Sequence, residues 1–246
     1  MLEIFDAHFH IVEDYHRVVE NQGYKPETFR VSDYLSWFYG VRLVGGLFVA
    51  GSFHAHDHWG IVRTLRELGK GFYGVINADR NLTKGLVEEL NAGGIRGVRF
   101  NVKRLGVGIL SELERIALSV WEWAGWHVDL YIENRMLKPY LGLIGNLPAV
   151  CIDHMGLTLE GFDDLLLLVE KGVRVKVSGF GRLDFDPRWG LERILEVNAD
   201  AAMFGTDLPS TRSPRPFSWR DLEAIKGLAD RRVLVENALN FLGGGA

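Results

Sequence analysis

The chain has 246 residues, 28 Lys and Arg against 32 Asp and Glu, and so a formal net charge of −4. With 47% hydrophobic and 24% charged residues it has the balance of a folded globular protein, which excludes general disorder. No polybasic cluster points to nucleic acid or an anionic membrane as a partner, and no apolar run reaches the roughly 20 residues that a bilayer span needs. The single cysteine, Cys151, cannot close an internal disulfide and has no CxxC partner. With Glu3 and Asp6 where a secretory leader would be basic and then apolar, this favours a cytoplasmic location.

Eight short apolar runs follow one another, each ending in small or polar residues: 3–11, 42–52, 71–79, 95–102, 127–133, 149–156, 173–180 and 201–209. They are rich in Val, Ile and Phe, as parallel strands buried on both faces are. Helical stripes lie between them. Leu82, Leu86 and Leu90 form one, stopped by Gly93-Gly94. Leu113, Ile116, Ala117, Val120 and Ala124 form another, with Ser111 and Glu114 spaced as a capping box. Phe162, Leu165, Leu166 and Val169 stop at Gly172, and Pro187 opens a helix carrying Leu191, Ile194 and Leu195. Ser218 is placed to cap a last long helix through Leu222, Ile225 and Leu228. Residues 12–40 form an insertion after the first strand, with a loop at Tyr24-Lys25-Pro26 and a helix over 32–39. No linker or composition shift divides the chain. Eight strand–helix units in this length predict an α/β fold, one (β/α)8 TIM-barrel domain over 1–246 with an insertion after strand 1. An open doubly wound sheet would need a glycine-rich phosphate loop, and none follows a strand.

Active sites of such barrels are built at the carboxyl ends of the strands. Those positions hold His8, His10, Ser52, His54, Asp79, Arg99, Asn101, Tyr131, Glu133, His154, Ser178 and Asp207. His8 and His10 alternate on one strand and face the same way, so they can share a metal ion or a substrate oxygen. The spacing alone equally suits two hydrogen-bonded barrel histidines. His54-Ala55-His56-Asp57-His58 repeats the spacing, but in a loop, where a solvated rim is the better reading. Asp207 in Gly205-Thr206-Asp207-Leu208-Pro209 could relay a proton from water, or cap a turn. His154 could donate to a carbonyl, bind metal or be a satisfied core histidine. Cys151 reads as a small buried hydrophobe, and His16 and His127 as surface or supporting residues without a site role. Arg99 and Asn101 should share one face of strand 4, with a salt bridge to a barrel carboxylate such as Glu133 as the structural alternative for Arg99.

DAHFH on strand 1, CIDHMG on strand 6 and FGTDLP on strand 8 resemble the amidohydrolase superfamily. Residues 94–104, GIRGVRFNVKR, are similar to a segment of its 2-pyrone-4,6-dicarboxylate lactonase branch, as are GWHVDLY at 125–131, Tyr24-Lys25-Pro26 and Asn237-Ala238. The resemblance spans nearly the whole chain. It implies that Asp207 manages the hydrolytic water, that His8, His10 and His154 polarise a lactone carbonyl, and that Tyr24, Arg99, Arg104, Tyr131 and Arg182 hold substrate carboxylates. It further implies a reaction that requires no metal. Two departures stand out. The interval between Arg99 and Arg104 is one residue shorter than the family pattern, which leaves Lys103 and Arg104 competing for the site, and His54, His56 and His58 have no counterpart in it.

The sequence therefore predicts a hydrolase that opens a small, carboxylate-bearing lactone. The alternative is a zinc-dependent decarboxylase or amide hydrolase, its metal held by His8, His10, His154 and Asp207. Against it, the end of strand 5 offers Tyr131 and Glu133 rather than a nitrogen ligand. A purely binding barrel is disfavoured, because it would not need Asp207.

Overall fold

The computed structural model describes residues 1–243. Eight strands run in sequence order through one all-parallel sheet: β1 (Glu3–Phe9), β2 (Arg42–Val49), β3 (Phe72–Asn77), β4 (Ile95–Phe100), β5 (His127–Leu130), β6 (Val150–Ile152), β7 (Arg174–Val177) and β8 (Ala202–Phe204). The seam between the last and first strands is closed at the mouth by backbone bonds. Asp207 N–H donates to the His8 carbonyl and His10 N–H to that of Leu208, each at 2.7 Å. The predicted (β/α)8 barrel is the fold observed.

Every observed strand is shorter than its predicted run, mostly at the carboxyl end. There the chain leaves the ladder while its residues, many of them polar, stay largely buried, so burial outlasts the pairing.

The helices are α1 (Val31–Ser36), α2 (His58–Leu68), α3 (Lys84–Ala92), α4 (Val102–Leu105), α5 (Leu113–Ala124), α6 (Leu141–Ile144), α7 (Phe162–Glu170), α8 (Pro187–Val197), α9 (Trp219–Ala224) and α10 (Asn237–Gly243). None is long and apolar enough to cross a membrane. The predicted stripes face the sheet: Leu113, Ile116, Ala117 and Val120 on α5, Phe162, Leu165 and Val169 on α7, and Leu191 and Ile194 on α8 are buried. Truncating one of them, as in Leu165→Ala, would cost about 2–5 kcal/mol through lost transfer energy and the cavity left behind.

Three helix boundaries differ from the sequence reading. Ser111 lies in a 3-10 turn and donates to the Gly108 carbonyl instead of capping α5. α1 ends at Ser36, before the expected Tyr39. The last long helix breaks after Ala224, and a π-helical stretch, Arg232–Glu236, leads into α10. Asn237 then donates to the Ala199 and Ala202 carbonyls at 3.0 and 2.9 Å, anchoring the start of β8.

β1 carries a register shift between Asp6 and Phe9: three steps on β1 pass two on β2. Asp6 holds this bulge. Its carboxylate accepts from the backbone N–H groups of His8 (3.2 Å) and Thr206 (2.8 Å), the Thr206 hydroxyl (2.6 Å) and the Tyr34 hydroxyl (3.1 Å). Full burial outweighs these bonds and pushes its pKa up to about 6. Asp6 thus ties β1, β8 and α1 together beneath the histidines.

Candidate active site

β1, β6 and β8 deliver the central cluster. His8, His10, His154 and Asp207 are all nearly inaccessible to solvent. Asp207 Oδ1 lies 3.4 Å from His10 Nε2 and 3.8 Å from the Nε2 atoms of both His8 and His154. His154 and Asp207 both adopt positive φ, 54° and 59°. Such backbone is uncommon outside glycine, and it persists here because the seam bonds and the surrounding barrel enforce it. Two glycines make room for the rings. A Cβ on Gly205 would lie 2.8 Å from the His8 Cβ, and one on Gly179, itself at φ +63°, would lie 2.7 Å from His154 Nδ1.

The second nitrogen of each ring is directed as well. His10 Nδ1 donates to the Val49 carbonyl at 2.6 Å. His8 Nδ1 lies 3.2 Å from Asp153 Oδ1, and His154 Nδ1 lies 2.8 Å from the Ser178 hydroxyl. Burial, reinforced by the Lys176 charge, pushes the His8 pKa down to about 3 despite Asp153. Burial also holds His154 well below the usual imidazole range. Both rings are therefore neutral at physiological pH. A serine can donate or accept, so neutral His154 is free to present Nε2–H to a substrate. His8, facing an ionised carboxylate, keeps its proton on Nδ1 and presents a lone pair.

Burial opposes ionisation of Asp207, yet the Arg182 guanidinium and His154 outweigh it and hold the carboxyl well below the ordinary range. Arg182 Nε donates to Asp207 Oδ2 at 2.8 Å, and its terminal nitrogen to the Thr211 carbonyl at 2.6 Å. Asp207 Oδ1 and His8 Nε2 are buried without a hydrogen-bond partner. They are free to meet a water, a substrate atom or a cation.

A second charge network lies below. Asp153 accepts from Arg99 Nε at 2.8 Å and lies 3.2 Å from Lys176 Nζ, which also bonds Asp129. Lys176 is fully buried; Asp129 and Asp153 more than offset its desolvation and raise its pKa. The same cations hold Asp153 well below the usual carboxylate range against its burial. Arg99 thus pairs with Asp153 rather than Glu133, and its Nη1 donates to the Ala50 carbonyl at 3.1 Å. Glu133 pairs with Lys103 and with Arg135, the latter at 2.8 Å.

One pocket opens on the cluster, lined by His10, Arg99, Asn101, Arg104, Tyr131, His154, Arg182, Asp207 and Arg212. Tyr131 packs edge-on against His154 and lies beneath the Arg99 guanidinium, 4.9 Å from its centroid. Tyr24 sits beside the pocket, under Arg212 at 4.5 Å. Of Lys103 and Arg104, only Arg104 lines it. Arg212, Asp153 and Lys176 had not been singled out from sequence. Asp153 adjoins His154 in CIDHMG, which was a usable signal; Arg212 had none.

The other expectations resolve simply. His54 is buried and fully bonded: Gly51 N–H donates to its Nδ1 at 3.0 Å, and its Nε2 to the Ile11 carbonyl at 2.9 Å. His16 and His127 are buried, not superficial. His16 bonds the Thr64 hydroxyl at 2.8 Å, and His127 lies 3.3 Å from Asp129. Cys151 is buried, as expected. His56, His58 and Asp79 lie together away from the catalytic cluster, on the loops after β2 and β3.

The barrel thus gathers histidines at the ends of β1 and β6 and an aspartate after β8 at its mouth, a set of groups able to move protons or to hold a cation. The amidohydrolase family profile matches residues 5–244, and the chain belongs to that family. It is 34% identical over 111 residues to the 2-pyrone-4,6-dicarboxylate hydrolase of Comamonas testosteroni; the match spans 44% of this chain and 36% of that relative. Two solved structures share the fold over almost the whole chain. One, from Acinetobacter baumannii and with citric acid bound, has a TM-score of 0.83 at 21% identity, covering 98% of this chain and 99% of that one. The other, from Agrobacterium tumefaciens, has a TM-score of 0.85 at 19% identity, covering 99% and 96%.

Proposed function

We propose that this amidohydrolase-family hydrolase opens a lactone bearing at least one carboxylate, without a metal ion. The observation that carries the substrate class is the charge of the pocket. Four arginines, Arg99, Arg104, Arg182 and Arg212, converge on it. Arg99 and Arg182 are paired with Asp153 and Asp207. Arg104 and Arg212 have no carboxylate partner among the described residues, and burial together with the Arg104 charge lowers the Arg212 pKa. Neighbouring guanidinium groups without a counter-ion call for a bidentate anion. Tyr24 and Tyr131 flank them and supply hydroxyls. The likeness to the Comamonas hydrolase supports the same class.

In the reaction, Asp207 Oδ1 takes a proton from water as the oxygen attacks the lactone carbonyl. The His8 Nε2 lone pair accepts the second hydrogen of that water and orients it. His154 donates Nε2–H to the developing oxyanion. Donors of this kind are each worth about 3–4 kcal/mol. His10, its Nδ1 turned to the Val49 carbonyl, stands beside the same site with Nε2 3.4 Å from Asp207 Oδ1 and helps to place that oxygen. Asp207 returns its proton to the ring oxygen as the C–O bond breaks, giving one ring-opened product with a hydroxyl (or its keto form) and a new carboxyl group, which releases the remaining water proton to solvent and becomes a carboxylate.

A second reading is favoured by one observation. The unpartnered Asp207 Oδ1 and His8 Nε2 share a space with His154, their ligand atoms within 4.8 Å of one another. His8, His154 and Asp207, with His10 alongside, would fit one zinc-class cation, which would supply Lewis acidity and an acidified water. Arg182 argues for the first reading: it already neutralises Asp207, so a dication there would face excess positive charge. The test is a panel of carboxylated and neutral lactones, assayed with chelator and with added zinc. Hydrolysis confined to carboxylated lactones and indifferent to chelation supports the proposal. Loss on chelation with recovery on zinc selects the second reading.

A further inference from the structure

A cavity of ≈ 470 Å³ lies beside the catalytic pocket; Ser52, Arg99 and Asn101 form walls of both. Its outer rim is the loop after β2. That loop is firmly built. His54 anchors it through Gly51 and Ile11. Asn77 Nδ2 donates to the Gly51 and Ala55 carbonyls, each at 2.9 Å. Asp57 caps α2 by accepting from Gly60 N–H and also accepts from Arg17 N–H at 2.8 Å. Anchored on both sides, the loop presents His56 and His58.

Asp79 meets them from the end of β3. Its Oδ1 is held by Asn81 N–H at 2.9 Å, which leaves Oδ2 directed at His56 Nδ1, 3.6 Å away. The rings of His56 and His58 stand edge to face, 5.9 Å between centroids. One ligand atom from each of the three residues lies within 4.8 Å of the other two. His58 is only 7% exposed, and its Nε2 is buried without any hydrogen-bond partner. An orphaned buried imidazole nitrogen carries a desolvation penalty that an ordinary surface histidine pair does not. A ligand that fills its lone pair removes that penalty.

We propose that His56, His58 and Asp79 form a second, independent binding site for one divalent transition-metal ion at the rim of this cavity. Two imidazoles and a carboxylate suit the zinc class, including cobalt and nickel, rather than calcium or magnesium. Three protein ligands leave at least one coordination position open, and the cavity that His56 borders has room for a small ligand there. The site is separate from the catalytic cluster and does not depend on how that cluster activates water.

The test uses chelator-stripped full-length protein titrated with Co²⁺, read by its visible absorption and by calorimetry. The Asp207→Asn background removes the catalytic cluster as a competing site. One Co²⁺ per chain is expected in that background, with a raised Tm. His56→Ala, at an exposed position, and Asp79→Asn, which keeps the shape of a half-buried side chain, should each weaken binding at least about tenfold, and His58→Gln should do the same. Zn²⁺ should displace the Co²⁺ spectrum. Three outcomes would overturn the proposal: no saturable binding up to about 1 mM, binding that survives His56→Ala and Asp79→Asn unchanged, or binding that disappears with Asp207→Asn alone.

Discussion

Two histidine pairs of identical spacing, His8-Phe9-His10 and His56-Asp57-His58, end in different surroundings. Both stack edge to face, with centroids 5.0 and 5.9 Å apart. The first pair leaves a bulged strand into the barrel mouth, shut off from solvent and set among Asp207, Arg182, Asp153 and Lys176. Each of its rings has an acceptor near Nδ1 and faces Asp207 through Nε2. The second pair rides on a loop, with His56 mostly exposed and Asp79 the one carboxylate opposite. Spacing brings imidazoles together in both cases. Both clusters hold an orphaned imidazole nitrogen; what differs is the charge behind them, because Arg182 already neutralises Asp207, whereas no guanidinium pairs with Asp79 among the described residues.

The largest effect separating the two pairs should come from Asp207→Asn. Asparagine tolerates positive φ and keeps the shape of the side chain but cannot take a proton. A fall of about 10²–10⁴-fold in kcat is expected, with a lowered Tm because Arg182 loses its buried counter-charge; retention of more than about a tenth of kcat would remove Asp207 from the role. His56→Ala should leave kcat on carboxylated lactones within about twofold. Next, Gly179→Ala would drive a Cβ against His154 and displace the ring; an ångström of misplacement costs about 10²-fold in kcat, and near-normal turnover would mean that His154 does not touch the reacting atoms.

Smaller, but more diagnostic of substrate, are the arginines. Arg104→Met and Arg212→Met should each raise KM for carboxylated lactones about 10–10²-fold, the value of one charge-assisted bond, while leaving neutral lactones alone. Arg99→Met should depress both substrates alike, because its guanidinium faces Asp153; a carboxylate-selective loss there would reassign it to substrate. The subtlest prediction concerns pH. Arg182 lowers the Asp207 pKa, so the base form persists into acid and kcat/KM should not fall until well below pH 5. In Arg182→Gln the acid limb should move upward. The same depressed carboxylates, Asp153 and Asp207, stabilise the fold above their unfolded values near 3.8, and that contribution is lost as pH falls through their folded values. An unmoved limb in Arg182→Gln would show that another group sets it.

Much of this was readable from the order of residues. The eight runs of Val, Ile and Phe mark the strands because both faces of each are buried, and polar residues at their carboxyl ends mark the mouth. His8, His10, His154 and Asp207 follow from that rule. Strand lengths did not follow, since residues beyond the ladders remain largely buried. Nor did the pairings. Lys176 lies 47 residues from Asp129 and 23 from Asp153, and only barrel closure brings β5, β6 and β7 together around it. Asp6, in the same DAHFH segment as His8 and His10, carries no sign of its role, because its partners Thr206 and Tyr34 are distant in sequence. Arg212 escaped notice for a similar reason: it sits in an irregular loop whose path no periodicity predicts.

The two backbone bonds between Asp207 and His8 and between His10 and Leu208 serve at once as the latch of the barrel and as the frame of its chemistry. Asp207, the proposed proton acceptor, and the rings of His8 and His10 belong to opposite sides of the seam between the last and first strands, which Asp6 also bridges to Thr206. Any fluctuation that parts β8 from β1 separates them, even while the other seven strand pairings persist. Hydrolysis should therefore fade on warming or in mild denaturant before circular dichroism records a transition, and a tight transition-state mimic should clamp the join and slow amide exchange at His10 and Asp207 more than elsewhere.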